Sequence, residues 1–388
     1  MTLNDRERAV LDWLGLRHEA MVALLAEIVS LDSGSTDKAG IDRVGAALRR
    51  HLSTAGIATR TVPHAAHGDN LVADLPGDAP GGHALLLGHM DTVFPAGTAA
   101  ERPFRVADGI ATGPGVADMK AGLVMNVFVA EAFAAAGGAP MPLRLLCTGD
   151  EEIASPASRP VIEEAARGAR LVLNAEPGRA SGNVVTARKG ALFLAIAIEG
   201  RAAHAGVEPG KGASAIEAMA RKILRLHALQ DLDAGTTVNV GLVRGGTTVN
   251  TVAPHASLEV DVRFRDHAAM AAAQEAIAAI VAEADPPGTR ARILREGRFL
   301  PLTGSEAGLA LFQDYAACAR EIGFPVEGEF TGGSADSGFT ASVGAPTLCA
   351  TGPVGGGAHS PDEYCRLDTL VPRAQAAALT ILRRAARP

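Results

Sequence analysis

Aromatic residues are scarce in this chain. Only 4% of its 388 positions are Phe, Trp or Tyr, against 44 glycines, so its core must be packed from Ala, Val, Leu and Ile. No apolar run reaches the roughly 18 residues that suggest a membrane-spanning helix. Met1 to Trp13 is charged and has no apolar centre of the kind a secretory leader carries. The chain therefore reads as cytoplasmic. It also lacks a block of positive charge: the net charge is −7, and the basic residues from Lys211 to Arg225 are scattered. That argues against nucleic acid or a membrane surface as partner and for a small metabolite. Cys147, Cys318, Cys349 and Cys365 are far apart with no C-x-x-C spacing, and read as buried free thiols rather than disulfides or thiolate zinc ligands. No Gly-x-Ser-x-Gly elbow supports a serine hydrolase. The stretch Gly206 to Gly212 has the wrong spacing for a phosphate loop and no Ser or Thr after Lys211. Gly113-x-Gly115 lacks the strand and third glycine of a dinucleotide fingerprint.

What is present fits a soluble globular protein: 47% hydrophobic and 20% charged residues. At this length one core stops growing, so two domains are the default. Glu7 to Val29 and Asp37 to Ala55 carry apolar residues at helical spacing, the second run stopping at Gly56. Strand-like stretches follow at Ala58 to Val62, Asn70 to Leu75 and Ala84 to Gly88. Met119 to Ala136 reads as a helix, Pro142 to Thr148 and Leu171 to Ala175 as further strands. This alternation describes an α/β domain with its site at the strand ends. From Gly190 to Arg298 the order becomes β-α-β-β-α-β, the ferredoxin-like α+β plan, which completes a unit of its own. We therefore expect a first domain built from residues 1–189 and 299–388, with 190–298 inserted into it.

Three of the short strands end in polar groups. His89 and Asp91 close the first, and on an extended chain residues two apart share a face, so Asp91 can hydrogen-bond the His89 ring and set which nitrogen points outward. Taken alone, this pair is more readily read as a satisfied core histidine beside an acid. Glu151 and Glu152 follow the second strand and Glu176 the third, with Asp118 and His359 on loops. Carboxylates and imidazoles without thiolates suit zinc or a similar ion held for hydrolysis. The groups outnumber what one catalytic zinc takes, whereas two ions about 3.5–4 Å apart would use them. Adjacent side chains on an extended chain diverge, so one of Glu151 and Glu152 can ligate while the other acts as base.

Six segments stand together in order: Gly88-His-Met-Asp-Thr92, Gly113-Pro-Gly-Val-Ala-Asp-Met-Lys120, Gly149-Asp-Glu-Glu152, Asn174-Ala-Glu-Pro177, Ala203-His-Ala-Gly206 and His359-Ser-Pro-Asp-Glu-Tyr364. In this the chain resembles the dinuclear-zinc aminoacylase and carboxypeptidase family, most nearly its glutamate carboxypeptidase branch, from Asp32-Ser-Gly34 to Arg373. The resemblance implies two Zn2+ per subunit, with Co2+ or Mn2+ as substitutes, and a mixed-sheet zinc-peptidase catalytic domain carrying an inserted dimerisation (lid) domain. Asp118 would bridge the metals, His89 and Glu176 would complete one site, and Glu152 and His359 the other. Asp91 would orient His89, and Glu151 would act as general base and acid. A cis Asp118–Met119 peptide is implied too. His204 would act in trans, at the active site of the partner in a homodimer. Asn250 and Arg263 would bind the substrate's free carboxylate, for which the planar Arg fork is suited; a plain strand ion pair is the other reading of Arg263. Gly333, in Gly332-Gly-Ser-Ala-Asp336, would line the pocket.

Two departures bear on specificity. The loop from Glu176 to Gly190 does not align with glutamate-specific members, and Arg188 and Lys189 are out of register with the Lys that reads the side-chain carboxylate there. Met119 stands where relatives often have Asp, at a position that is not a ligand. The expected activity is hydrolysis of a peptide or N-acyl bond next to a free carboxylate, releasing an amino acid from a small N-acyl amino acid or short peptide. A glutamate carboxypeptidase-like enzyme and an N-acyl-amino-acid deacylase of the acetylornithine or succinyl-diaminopimelate type both remain open. A catalytically silent binding or scaffold relative should have lost a ligand or Glu151, and none is missing.

Overall fold

The computed structural model describes residues 3–387. They divide into two compact units, residues up to 187 with 304–330 and those from 339 on in the first, and 188–303 with 331–338 in the second. The short segment 331–338, expected with the returning chain of the first domain, thus falls with the second unit.

The first unit is built on a six-stranded mixed sheet. Its strands lie in the order Thr59–Val62, Asn70–Leu75, Leu143–Thr148, His83–His89, Ala169–Asn174, Thr347–Leu348. The last four run parallel and the first two form an antiparallel edge. His83–His89 sits in the middle because its residues Ala84 to Leu87 are apolar on both faces and buried throughout. Its register sets His89 opposite Thr148 and Leu87 opposite Asn174, so three parallel strands end side by side. Two bonds carry the pairing past the strands: Met90 N donates to Thr148 O at 2.8 Å, and Ala175 N to Leu87 O at 3.0 Å.

Helix Ala121–Ala135 is apolar all round and buried on nearly every side, as such a helix must be. Phe128 and Phe133 fill the space around it, Phe128 with its ring 6.3 Å from that of Trp13. The helix begins two residues later than its apolar pattern suggests, because Asp118 and Met119 have non-helical backbone angles and the bond between them is cis. The N-terminal run is likewise two helices, Asp5–Gly15 and His18–Val29. They are separated where Leu16 N and Arg17 N turn back to Trp13 O and Leu14 O. A small antiparallel sheet pairs Ile110–Thr112 with Tyr364–Arg366, Tyr364 opposite Thr112, which brings the loops after residue 112 and before residue 364 together. All four cysteines are buried and outside any disulfide. No helix among the described residues is long and apolar enough to cross a membrane.

The second unit is a four-stranded antiparallel sheet in the order Thr237–Gly245, His255–Phe264, Gly190–Glu199, Arg290–Phe299. With helices Ala215–His227 and His267–Ala282 it follows the expected β-α-β-β-α-β order. Burial alternates along Gly190–Glu199 and His255–Phe264. One face, with Leu194, Ile196, Leu258 and Val260, packs on Met219 and Ile277 from the helices.

Helix Ala121–Ala135 approaches the third parallel strand through Gly122, where an added Cβ would lie 1.9 Å from Ala175 O. In an open helix Ala improves on Gly by about 1 kcal/mol. Here overpacking against main chain reverses the sign, and Gly122→Ala should lose about 1–3 kcal/mol in urea unfolding. An unchanged or raised midpoint would refute this packing.

Candidate metal centre

The three parallel strand ends and two loops bring six of the expected residues of the first unit into one cluster. His89 stands at the end of the central strand, Glu151 and Glu152 open the short turn Glu151–Ile153 after the second, and Glu176 follows the third. Asp118 and His359 come from the two loops joined by the small sheet. Asp118 sits between the histidines: Oδ1 is 3.2 Å from His89 Nε2 and Oδ2 is 3.5 Å from His359 Nε2. Glu152 Oε2 lies 3.1 Å from His359 Nε2, and Glu176 Oε1 3.9 Å from His89 Nε2. Glu151 Oε2 is 4.0 Å from His89 Nε2. His359 is held by a backbone in the left-handed region, φ 64°, which few non-glycine residues adopt.

The electrostatics follow from this crowding. Burial pushes the Asp118 carboxyl up, but hydrogen bonds from His359 and His89 outweigh it and hold the group well below the usual carboxylate range. Glu152 is pushed up to about 7, first by burial and then by the charge of Asp118, against the hydrogen bond from His359. His359 is raised to about 10 by Asp118 and Glu152. Burial works against charging His89, yet Asp118, Asp91, Glu151 and Glu176 together raise it well above its ordinary value. The crowded acids favour positive charge among them.

A cation fits the donor set. Ligand atoms of His89, Asp118 and Glu152 lie within 4.8 Å of one another, and Glu152 Oε1 is buried without a hydrogen-bond partner among the described residues. A buried carboxylate oxygen in that state is an unbalanced polar atom that a metal ligand bond would satisfy. Imidazole and carboxylate suit a divalent ion of the zinc, cobalt or manganese type. Burial pushes the thiols of Cys147 and Cys365 up to about 12, away from the thiolate a metal ligand needs.

Asp91 does more than face His89. His89 Nδ1 is 2.9 Å from the Asp91 main-chain oxygen and 3.5 Å from its carboxylate, so the nearer partner is main chain. The carboxylate itself accepts from Ser35 Oγ at 2.7 Å, Glu151 N at 3.0 Å and Glu152 N at 3.1 Å. It anchors the turn that carries both glutamates. No local pattern announces this, since the partners lie about sixty positions away along the chain.

The second unit carries the remaining candidates. His204 and Asn250 lie together on exposed loops, Ala205 N donating to Asn250 O at 2.9 Å. His204 Nδ1 accepts from Gly206 N and Val207 N, each at 3.2 Å, so the neutral ring carries its proton on Nε2. Arg263 has one edge taken: Nε and Nη2 pair with Asp261 at 2.7 Å each, and Nη1 donates to Ser334 Oγ at 3.1 Å. The segment containing Gly333 is tied to this unit as well, Gly333 O accepting from Arg188 Nε at 3.0 Å and Ser334 Oγ donating to Lys189 O at 2.9 Å.

Comparison with known proteins bears on this cluster. Residues 85–383 match the sequence profile of peptidase family M20/M25/M40. The chain belongs to that family. It is 29% identical over 370 residues to carboxypeptidase G2 of Pseudomonas sp. (strain RS-16), covering 94% of this chain and 89% of that protein. It is 30% identical over 372 residues to a succinyl-diaminopimelate desuccinylase of Stenotrophomonas maltophilia (strain R551-3), covering 90% and 95%. Among solved structures, the M20 family metallo-carboxypeptidase Sso-CP2 of Sulfolobus solfataricus superposes with a TM-score of 0.76 at 17% identity, covering 95% of this chain and 99% of that one. The M20 chain described here is therefore a metallopeptidase or amidohydrolase by family, with an α/β fold shared across it.

Removing the Asp91 carboxylate leaves two main-chain N–H groups in a buried place without their acceptor. Asp91→Ala should cost about 2–4 kcal/mol in denaturant unfolding. A change below about 0.5 kcal/mol, the range of inert surface substitutions, would refute the anchoring role.

Proposed function

We propose that this M20 protein is a homodimeric hydrolase with two zinc ions per subunit, cleaving an amide bond next to a free carboxylate and releasing an amino acid. The observation that carries the reading is the Asp118 carboxylate, one oxygen facing His89 and the other facing His359. That arrangement supports Asp118 as the bridging ligand, with His89 and Glu176 on one side and Glu152 and His359 on the other. When bound, the ions would polarise the scissile carbonyl and lower the pKa of water.

The side chains divide the remaining work. Glu151, anchored through its main-chain N–H to Asp91, takes the proton of the attacking water and returns it to the departing amine. The side chain is itself buried, 6% exposed, at the edge of the cluster. His204 donates from Nε2 to the oxyanion, and the bonds at Nδ1 support that tautomer. It acts on the partner subunit's substrate. The strongly exposed Val207 and Val249 near His204 and Asn250, and Leu242 and Val243 on an edge strand, support a surface covered by a second copy. Asn250 and Arg263 hold the substrate carboxylate, Arg263 through the Nη1 side that now donates to Ser334 Oγ, while Asp261 keeps the Nε–Nη2 edge. Gly333 lines the same pocket.

A glutamate carboxypeptidase-like activity and an N-acyl-amino-acid deacylase activity share this machinery. The relative named carboxypeptidase G2 supports the first and the relative named succinyl-diaminopimelate desuccinylase the second, at nearly equal identity. Free amine release from a panel of acyl-glutamates, other N-acyl amino acids and short peptides decides between them. Chelator-stripped protein should be inactive on every member and recover with added zinc. Release that is indifferent to chelation would exclude the metal reading.

Two substitutions test the roles. Glu151→Gln should retain metal and fold yet lose at least about 10²-fold in kcat, the contribution expected of a positioned general base; near-normal turnover would remove Glu151 from that role. Inactive His204→Ala subunits mixed with inactive Glu151→Gln subunits should regain part of the activity through mixed dimers. Verified subunit exchange without any rescue would mean that His204 does not act in trans.

A further inference from the structure

Beside the centre, three main-chain N–H groups converge on one carboxylate that takes no direct part in it. Glu363 Oε1 accepts from Ala117 N and Asp118 N, each at 2.9 Å, and Oε2 accepts from Gly115 N at 3.0 Å. The side chain is only 1% exposed. The segment it holds is irregular: Gly115 has φ 71°, and Asp118 and Met119 lie outside helical geometry. Neither helix nor sheet supplies acceptors for these N–H groups, and buried donors must find one. An ionised carboxylate meets them with charge-assisted bonds, roughly twice as strong as neutral ones.

Glu363 belongs to the same short turn as His359. Ser360 N donates to Gly357 O at 3.1 Å, Asp362 N to Ser360 Oγ at 3.2 Å, and Gly357 takes a positive φ where a Cβ would lie 2.5 Å from Asp362 O. Immediately after the turn, Tyr364 pairs with Thr112. The turn that presents His359 is therefore bonded at one end, through Glu363, to the loop that presents Asp118.

We propose that Glu363 is a positioning residue of the metal centre: by clamping the main chain of residues 115–118 it fixes the Asp118 carboxylate midway between His89 and His359. The inference rests on the two-zinc hydrolase reading. Its consequence is that loss of Glu363 lowers affinity for metal by misplacing a ligand, while leaving all the ligands in the chain.

The test compares Glu363→Ala and Glu363→Gln with Leu311→Ala, a core truncation in helix Glu306–Ile322 of the same unit. Zinc affinity is read by competition with a chromogenic chelator, alongside thermal unfolding of stripped protein and kcat and KM at saturating zinc. Glu363→Ala should weaken zinc by about 10-fold or more, the usual effect of losing a residue that orients a ligand, and lower kcat more than it raises KM. Glu363→Gln keeps one oxygen able to accept from Ala117 and Asp118, and should recover part of the affinity. Leu311→Ala should unfold earlier yet bind zinc like wild type. Wild-type affinity in Glu363→Ala would overturn the proposal, and so would an equal loss in Leu311→Ala, which would assign the effect to general stability. Should Glu363→Ala fail to fold, Glu363→Gln decides: reduced affinity supports the clamp, and unchanged affinity and kcat overturn it. Wild-type protein that binds no zinc would overturn the hydrolase reading and this inference together, whereas zinc-binding wild type with indifferent variants overturns this inference alone.

Discussion

Like charges crowd at one edge of the main sheet. Asp118, Glu151, Glu152 and Glu176 all stand within about 4 Å of an imidazole nitrogen. The ligand atoms of Asp118 and Glu152 lie within 4.8 Å of each other, and two like charges at that spacing repel by about 3 kcal/mol at the effective dielectric near a protein surface; burial strengthens the effect. Such a cluster persists only if positive charge enters it and the main chain leaves it no room to spread. The two histidines supply the first requirement in part, and a divalent ion would supply the rest. The second is met from outside, by acceptors that pin the backbone carrying each acid: Asp91 beneath Glu151 and Glu152, Glu363 beneath Asp118. The interior of the first unit is arranged to make these anchors rigid, with the apolar strand Ala84 to Leu87 and the buried helix Ala121–Ala135 leaving the strand ends no slack.

Much of this was legible before any coordinates. His89, the Glu151–Glu152 pair and Glu176 each follow a short apolar run, and a run of that length bounded by turn residues reads as a buried strand. Asp118 and His359 lie on loops, where no periodicity points to them; only their place in a series of motifs did so. The ferredoxin-like order of the second unit was visible because its strands alternate, one face buried and one exposed.

What stayed hidden was long-range. The main partners of the Asp91 carboxylate are backbone groups some sixty positions on, and those of Glu363 lie near residue 117; hydrogen bonds to main chain leave no mark in side-chain identity. The split between Asp5–Gly15 and His18–Val29 was masked because apolar residues keep helical spacing through the break. Residues 331–338 went to the second unit because Ser334 and Gly333 bond to Arg188, Lys189 and Arg263, contacts made by a loop without a pattern of its own. The Asp261–Arg263 pair was open to either reading, and the geometry narrows it: one edge of the fork is taken.

The buried thiols give the protein an internal clock. Cys147 lies opposite Gly88 in the main sheet, and Cys365 opposite Ala111 in the small one; burial holds each near 12, so at neutral pH almost none of either is thiolate. An alkylating reagent can reach them only while their strands are apart. The rate at which each is labelled therefore counts the separate opening of the two sheets from which the candidate ligands are hung, one cysteine reporting on the His89 edge and the other on the loops of Asp118 and His359.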